Sequence, residues 1–168
     1  MIETNEPLPM ADAQEANWLE LKIPPPVIAA VAALAMWGLA RAFPGLHIPY
    51  GVRVPAAVLL AMAGVALAGS GIVTFRQART TINPHKPGDA TALVSSGPYR
   101  FTRNPMYVGM LLVLLGWSAF LASPLALLGP AAFVLYINRF QIGPEERALQ
   151  WLFGREYLAY RSRVRRWL

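Results

Sequence analysis

The chain has no cysteine and few charged residues. The lack of cysteine excludes disulfides, cysteine zinc sites and thiol catalysis. Charged residues make up 14% of the sequence, whereas a soluble domain carries about 25%. Hydrophobic residues make up 55% and form long runs with the charges between them, which is typical of a chain whose solvent is partly lipid. The composition therefore predicts an integral membrane protein.

Acidic residues are scarce beyond the first 21 positions. Five of the nine acids lie within residues 1–21, which contain no lysine or arginine, and all 15 basic residues follow. The basic residues flank the apolar runs, a placement that orients membrane helices, so we expect no nucleic-acid partner. The N-terminus is acidic and contains Pro7 and Pro9, unlike a signal peptide. Residues 1–22 are predicted to form an acidic tail.

The apolar runs predict an all-α protein with about four transmembrane helices. A run from Met106 to Phe140 is too long for one span, and Ser123-Pro124 in its middle predicts the turn of a helical hairpin. A polar loop, 76–105, precedes this hairpin, and an amphipathic helix over 144–168 is predicted to lie on the membrane or fold back against the protein. The four spans are expected at about 24–43, 54–75, 106–121 and 124–140.

The distribution of lysine and arginine predicts the topology. The loop 76–105 contains five of these residues and the segment 141–168 contains six, whereas the connection 44–53 contains Arg53 alone. Under the positive-inside rule, the loop and both termini lie in the cytoplasm.

The hairpin is expected to gather polar side chains at the cytoplasmic face. Arginine beside two carboxylates suits a zwitterionic ligand, and tyrosine faces favour cations, so Tyr99 is a further candidate. The alternative remains that these residues are membrane anchors, helix-start acids and interface aromatics. His47 and His85 are predicted on opposite sides of the membrane, so no metal site is expected. The gathered residues are Arg103, Asn104, Tyr107, Arg139, Glu145 and Glu146.

Two separated blocks resemble a known signature. The first is LVSSGPYRFTRNPMYVG at 93–109, and the second comprises Glu145-Glu146, FGREY at 153–157, Tyr160 and Val164. Together they resemble the isoprenylcysteine carboxyl methyltransferase family of integral membrane enzymes, which is related to the phospholipid methyltransferases. The resemblance covers about 72–168.

The resemblance implies a methyltransferase domain over 23–168 that uses S-adenosylmethionine and releases S-adenosylhomocysteine. The cofactor would lie between the segments 76–107 and 139–168. By similarity, Arg139 faces the substrate, and Arg103 and Asn104 belong to the catalytic centre. The implied cofactor-binding residues are Leu93, Val94, Tyr99, Arg103, Asn104, Pro105, Tyr107, Glu145 and Glu146.

The substrate class stays open at this point. The best-known enzymes of the family have histidine where this chain has Asn104, which cannot act as a titrating base near neutral pH. The four-span layout resembles small bacterial members, which implies a bacterial inner membrane and a lipophilic or membrane-embedded acceptor, such as the carboxylate or thiol of a prenylcysteine-like molecule. One alternative is a phospholipid-amine N-methyltransferase. Another is a non-catalytic membrane protein that binds anionic lipid or a partner.

Overall fold

The computed structural model describes residues 20–43, 45–78 and 92–168, and within them the regular elements are helical. This confirms the predicted all-α class. Residues 1–19 of the predicted tail (1–22) and the middle of the polar loop (79–91) lie outside the described residues. The helices are α1 (Pro25–Ala42), α2 (Tyr50–Gln77), α3 (Pro105–Leu121), α4 (Leu128–Ile137) and α5 (Gly143–Arg163). Two 3-10 turns (Gly97–Arg100 and Pro124–Leu127) and one π-turn (Asn138–Ile142) connect them.

Among the described residues, three helical stretches are long and apolar enough to cross a membrane, and α3 is a shorter apolar helix of 17 residues. The third stretch, Pro124–Arg163, contains 40 residues and would extend about 60 Å, twice the thickness of a hydrocarbon core. Its apolar first half is therefore the span, and the charged helix α5 lies beyond it.

The second helix begins earlier than the predicted start at 54. It starts at Tyr50 after Pro49 and includes Pro55 within its first two turns. Arg53, expected in the connection, lies on this helix with its guanidinium 3.8 Å from the centroid of the Tyr50 ring. This cation–π contact accommodates a charge in the first turn of the helix.

Close contact between α2 and α3 depends on glycine. A Cβ atom added to Gly64 would lie 2.5 Å from the carbonyl oxygen of Gly109, and the reverse substitution would give the same distance. Further along, a Cβ on Gly116 would lie 2.8 Å from the carbonyl oxygen of Ala57. Small residues let membrane helices approach in this way.

The hairpin turns where Ser123-Pro124 predicted it. Helix α3 ends at Leu121, the next residue, Ala122, has φ +49, and Pro124 starts the returning segment. Helix α1 packs beside both arms, with Met36 fully buried and the indole N–H of Trp117 donating to the carbonyl of Ala33 at 3.0 Å.

The C-terminal region folds back against the protein. Helix α5 kinks at Gly154, where φ is +46, and buries Tyr157 and Tyr160. After this helix the chain is extended, and Arg165 pairs with Thr102 in a parallel bridge. The end of the chain thereby reaches the residues that precede α3.

Candidate functional site

The C-terminal tail, residues 164–168, is hydrogen-bonded to the residues that directly precede α3. The backbone N–H of Arg103 donates to the carbonyl of Arg165 at 2.9 Å. The carbonyl of Arg166 accepts hydrogen bonds from the Thr102 hydroxyl at 3.2 Å and from the side-chain amide of Asn104 at 2.9 Å. The amide of Asn104 therefore holds the tail in this structure.

Glu146 lies between two arginines. Arg103 donates to its carboxylate at 2.7 Å, and Arg166 donates at 3.1 and 2.5 Å. Burial of Glu146 opposes its ionisation, but the hydrogen bonds from Arg166 and Arg103 outweigh that effect and hold its pKa below the ordinary value. Arg103 also donates to the carbonyls of Val164 and Arg161 at 2.5 and 3.2 Å. This cluster links α3, α5 and the tail.

Glu145, the neighbouring acid, has a different environment. The hydroxyl of Tyr107 donates to its carboxyl group at 2.6 Å, and no salt bridge reaches it within the described residues. Burial raises the pKa of Glu145 to about 8, and the charge of Glu146 contributes, although the bond from Tyr107 acts in the opposite direction. A partly buried carboxyl group without a cationic partner is suited to receive a cation.

Tyr99 packs against α2. Its side chain is buried, and its ring meets the ring of Phe75 edge-on with the centroids 5.2 Å apart. Its hydroxyl has no hydrogen-bond partner, and a Cβ atom on Gly71 would lie 3.4 Å from it. Burial raises the pKa of this phenol well above its ordinary range, so the group stays neutral.

Three further predicted site residues are apolar and at least partly buried. Pro105 occupies the first position of α3 and is fully buried, and a Cβ atom on Gly71 would lie 3.4 Å from its ring. Val94 is buried and Leu93 is partly buried. Leu93 and Val94 precede the polar cluster along the chain, whereas Pro105 directly follows Asn104.

Arg139 lies apart from the hydrogen-bonded cluster around the two glutamates. It is on the π-turn, its side chain is 61% exposed, and its guanidinium lies 3.5 Å from the Glu20 carboxylate. The structure thus brings together five of the six gathered candidates and gives Arg139 a separate partner.

Sequence reasoning missed Arg166 and Trp167 as parts of this region. The indole N–H of Trp167 donates to the side-chain oxygen of Asn138 on the π-turn at 3.1 Å. The run of arginines near the end of the chain indicated only positive charge, because nothing local shows that the tail returns to Thr102. Within the described residues, no group of three histidine, aspartate or glutamate side chains is arranged to hold a metal ion.

The helices define an all-α membrane protein with a hydrogen-bonded polar cluster at the end of a helical hairpin. Residues 52–156 match the family model described as phospholipid methyltransferase, and the chain belongs to that family. This confirms the predicted resemblance to isoprenylcysteine carboxyl methyltransferases and related phospholipid enzymes.

Several curated proteins are similar to the chain. Human protein-S-isoprenylcysteine O-methyltransferase is 30% identical over 107 residues, which cover 64% of this chain and 38% of that protein. The Arabidopsis thaliana enzyme named protein-S-isoprenylcysteine O-methyltransferase B is 31% identical over 104 residues, which cover 60% of this chain and 51% of that enzyme.

An uncharacterized protein from Haemophilus influenzae is 51% identical over 63 residues, which cover 38% of this chain and all of that protein. The chain spans about half or less of the length of the human and Arabidopsis enzymes. No solved structure matches the chain.

Proposed function

We propose that this protein is an S-adenosylmethionine-dependent methyltransferase that acts on a lipophilic or membrane-embedded acceptor. The observation that carries the proposal is the Glu145 carboxyl group, which Tyr107 orients at 2.6 Å and which no cation neutralises within the described residues. S-adenosylmethionine carries a sulfonium and an ammonium group, so a carboxylate and an aromatic ring are suitable partners.

The remaining residues have distinct parts in the proposed site. Glu145 and Tyr107 bind the cationic portion of the cofactor, and Glu146 with Arg103 holds the junction of α3 and α5 in register. The other proposed cofactor-binding residues are Leu93, Val94, Tyr99, Asn104 and Pro105. When bound, S-adenosylmethionine supplies an electrophilic methyl group. The protein contributes alignment and the exclusion of water.

The proposed acceptor is a carboxylate or thiol on a hydrophobic molecule, and Arg139 binds its anionic group. The names of the human and Arabidopsis relatives support this choice. An acceptor that arrives as an anion needs no general base, which suits a site with Asn104 in place of histidine. A phospholipid amine is the second candidate, because the matching family model is described by that activity.

We further propose a bacterial inner-membrane location with both termini in the cytoplasm. The concentration of basic residues after α2 and in α5 supports this orientation. A reporter fused after Leu168 is expected to give a cytoplasmic signal, and one inserted near Tyr50 the opposite. A cytoplasmic signal at Tyr50 would contradict the proposed topology.

The test of the activity is a calorimetric titration of S-adenosylmethionine into the detergent-solubilised protein. We expect saturable binding that Glu145→Gln weakens and that Glu156→Gln, at an exposed position of the same helix, preserves. Transfer of a labelled methyl group to S-farnesyl cysteine or to phosphatidylethanolamine then separates the two acceptor classes. Absence of binding by the folded wild-type protein would favour the non-catalytic lipid-binding alternative.

A further inference from the structure

Residues 20–23, called the strap below, dock onto the π-turn between α4 and α5. The backbone N–H of Leu21 donates to the carbonyl of Phe140 at 3.0 Å. The side-chain amide of Gln141, which is fully buried, donates to the carbonyl of Ile23 at 2.8 Å. The strap therefore contacts the turn that joins the fourth helix to the two glutamates.

The sequence of the turn removes one possible donor within the helix. In an α-helix, the carbonyl of Phe140 would accept a hydrogen bond from the N–H of residue 144. Residue 144 is proline, which has no N–H group. The N–H of Leu21 takes that place, and Leu21 has φ +57, a left-handed conformation that is uncommon outside glycine. Pro144 thus lacks the α-helical donor for the carbonyl of Phe140, and Leu21 donates to that carbonyl.

The side chain of Glu20 adds two ionic contacts to this arrangement. Its carboxylate lies 2.6 Å from the guanidinium of Arg147 and 3.5 Å from that of Arg139. The Glu20 side chain is only 10% exposed, whereas the two arginines are 56% and 61% exposed. The buried acid is the fixed member of the group, and it limits the directions that the exposed guanidinium of Arg139 can take.

We infer that Glu20 is a positioning residue of the acceptor side of the site. Its carboxylate holds the guanidinium of Arg139, and the strap holds the π-turn that carries Arg139 and leads to Glu145. The inference rests on the proposed function, in which Arg139 binds the anionic group of the acceptor. Glu20 itself touches neither cofactor nor acceptor.

The test compares Glu20→Gln with Arg147→Gln in the full-length, detergent-solubilised protein. Both variants lose the 2.6 Å ion pair, but only Glu20→Gln also frees Arg139. We expect Glu20→Gln to raise the KM for the acceptor about two- to fivefold, as expected for a partly exposed ion pair, with kcat and the Kd of S-adenosylmethionine unchanged. Arg147→Gln is expected to lower the Tm without changing KM. The acceptor probe is whichever of S-farnesyl cysteine and phosphatidylethanolamine the wild-type protein methylates.

Two further pairs of variants sharpen the comparison. Glu20→Asp keeps the charge and is expected to restore most of the wild-type KM, whereas Glu20→Lys repels both arginines and raises KM beyond the value for Glu20→Gln. Leu21→Pro removes the donor and cannot adopt a positive φ, so it is expected to lower the Tm and raise the acceptor KM. Leu21→Gly keeps the N–H and favours the observed φ, so it is expected to retain the KM.

The outcomes separate this inference from the proposed function. Equal KM values in wild type, Glu20→Gln and Glu20→Lys would overturn the positioning role while leaving the methyltransferase proposal intact. Equal increases in KM for Glu20→Gln and Arg147→Gln would reduce Glu20 to an anchor of the strap. A folded wild-type protein that binds no S-adenosylmethionine would instead overturn the proposed function, and the acceptor role of Arg139 with it.

Discussion

The affinity of the protein for S-adenosylmethionine should depend on pH through Glu145. Burial raises the pKa of this carboxyl group to about 8, so most of the ligand-free protein carries it protonated at neutral pH. A cationic ligand binds the ionised form, and its binding therefore has to release a proton. The perturbation is a change of pH between 6 and 7, which leaves the ordinary carboxylates ionised.

The magnitude follows from the fraction of protein in the competent state. With a pKa of about 8, Glu145 is roughly 1% ionised at pH 6 and roughly 10% ionised at pH 7. The apparent Kd equals the intrinsic Kd divided by that fraction. The Kd should therefore fall about tenfold, or about 1.4 kcal/mol, over this single pH unit. Nearly one proton should be released for each ligand bound.

Calorimetry in buffers of different ionisation enthalpy measures both the Kd and the number of protons released. Glu145→Gln supplies the matched control, because it removes the titrating group while the ligand keeps its own α-ammonium, which stays mostly protonated below pH 7. We expect the variant to bind more weakly and without pH dependence over this range. A wild-type Kd that is constant from pH 6 to 7, or a variant with the same slope as wild type, would refute the assignment.

Glu145 and Glu146 have opposite effects on how the stability of the ligand-free protein depends on pH. Because the folded-state pKa of Glu145 is raised from 4.5 to about 8, its contribution is fully present below about pH 4.5 and is lost as pH rises through about 8. Glu146 has a lowered pKa, so its contribution is present above pH 4.5 and is lost as pH falls below it. Thermal unfolding of Glu145→Gln should lack the loss of stability that Glu145 causes between about pH 4.5 and 8.

Two further predictions concern the contacts that hold the site and the helices. Arg166→Ala should destabilise the protein by about 1–3 kcal/mol, because the buried Glu146 loses two of its hydrogen bonds. Thermal unfolding measures this loss of stability, and Arg165→Ala, at the exposed neighbouring position, should cause a smaller one. Gly109→Ala should lower the stability by about 1–3 kcal/mol, because its Cβ would separate α2 from α3. Gly69→Ala should not lower the stability, because a Cβ there meets nothing within 4 Å. Equal losses of stability in the two variants would show that packing is not the cause.

The helices and the hairpin could be predicted because their signals are local. Apolar runs of the length of a bilayer and the Ser123-Pro124 pair define the spans and the turn without information from distant residues. A hairpin places the end of α4 beside the start of α3, so the sequence predicts that Tyr107 and Glu145 lie close together. Their hydroxyl and carboxyl groups lie 2.6 Å apart in the structure.

The docking of the strap and of the C-terminal tail could not be predicted, because it depends on pairing between residues far apart in sequence. Arg166 lies 20 residues from Glu146 in sequence, and Leu21 lies more than 100 residues from Phe140. The π-turn at Asn138–Ile142 has no residue pattern of its own, and the amphipathic pattern of the last helix does not reveal the kink at Gly154. Pro144 indicates a helix start, and nothing local to it shows that the N–H of Leu21 donates to the carbonyl of Phe140.

The side chain of Asn104 makes a structural contact that needs no exchange of a proton. Asn104 donates its side-chain amide to the carbonyl of Arg166 at 2.9 Å, a bond that needs a donor and no titrating group. Because neither the amide nor the carbonyl titrates, this bond to the tail does not itself depend on pH. A histidine there would change its charge between about pH 5 and 8. In the proposed reaction, an acceptor that arrives as an anion therefore needs no titrating group at position 104.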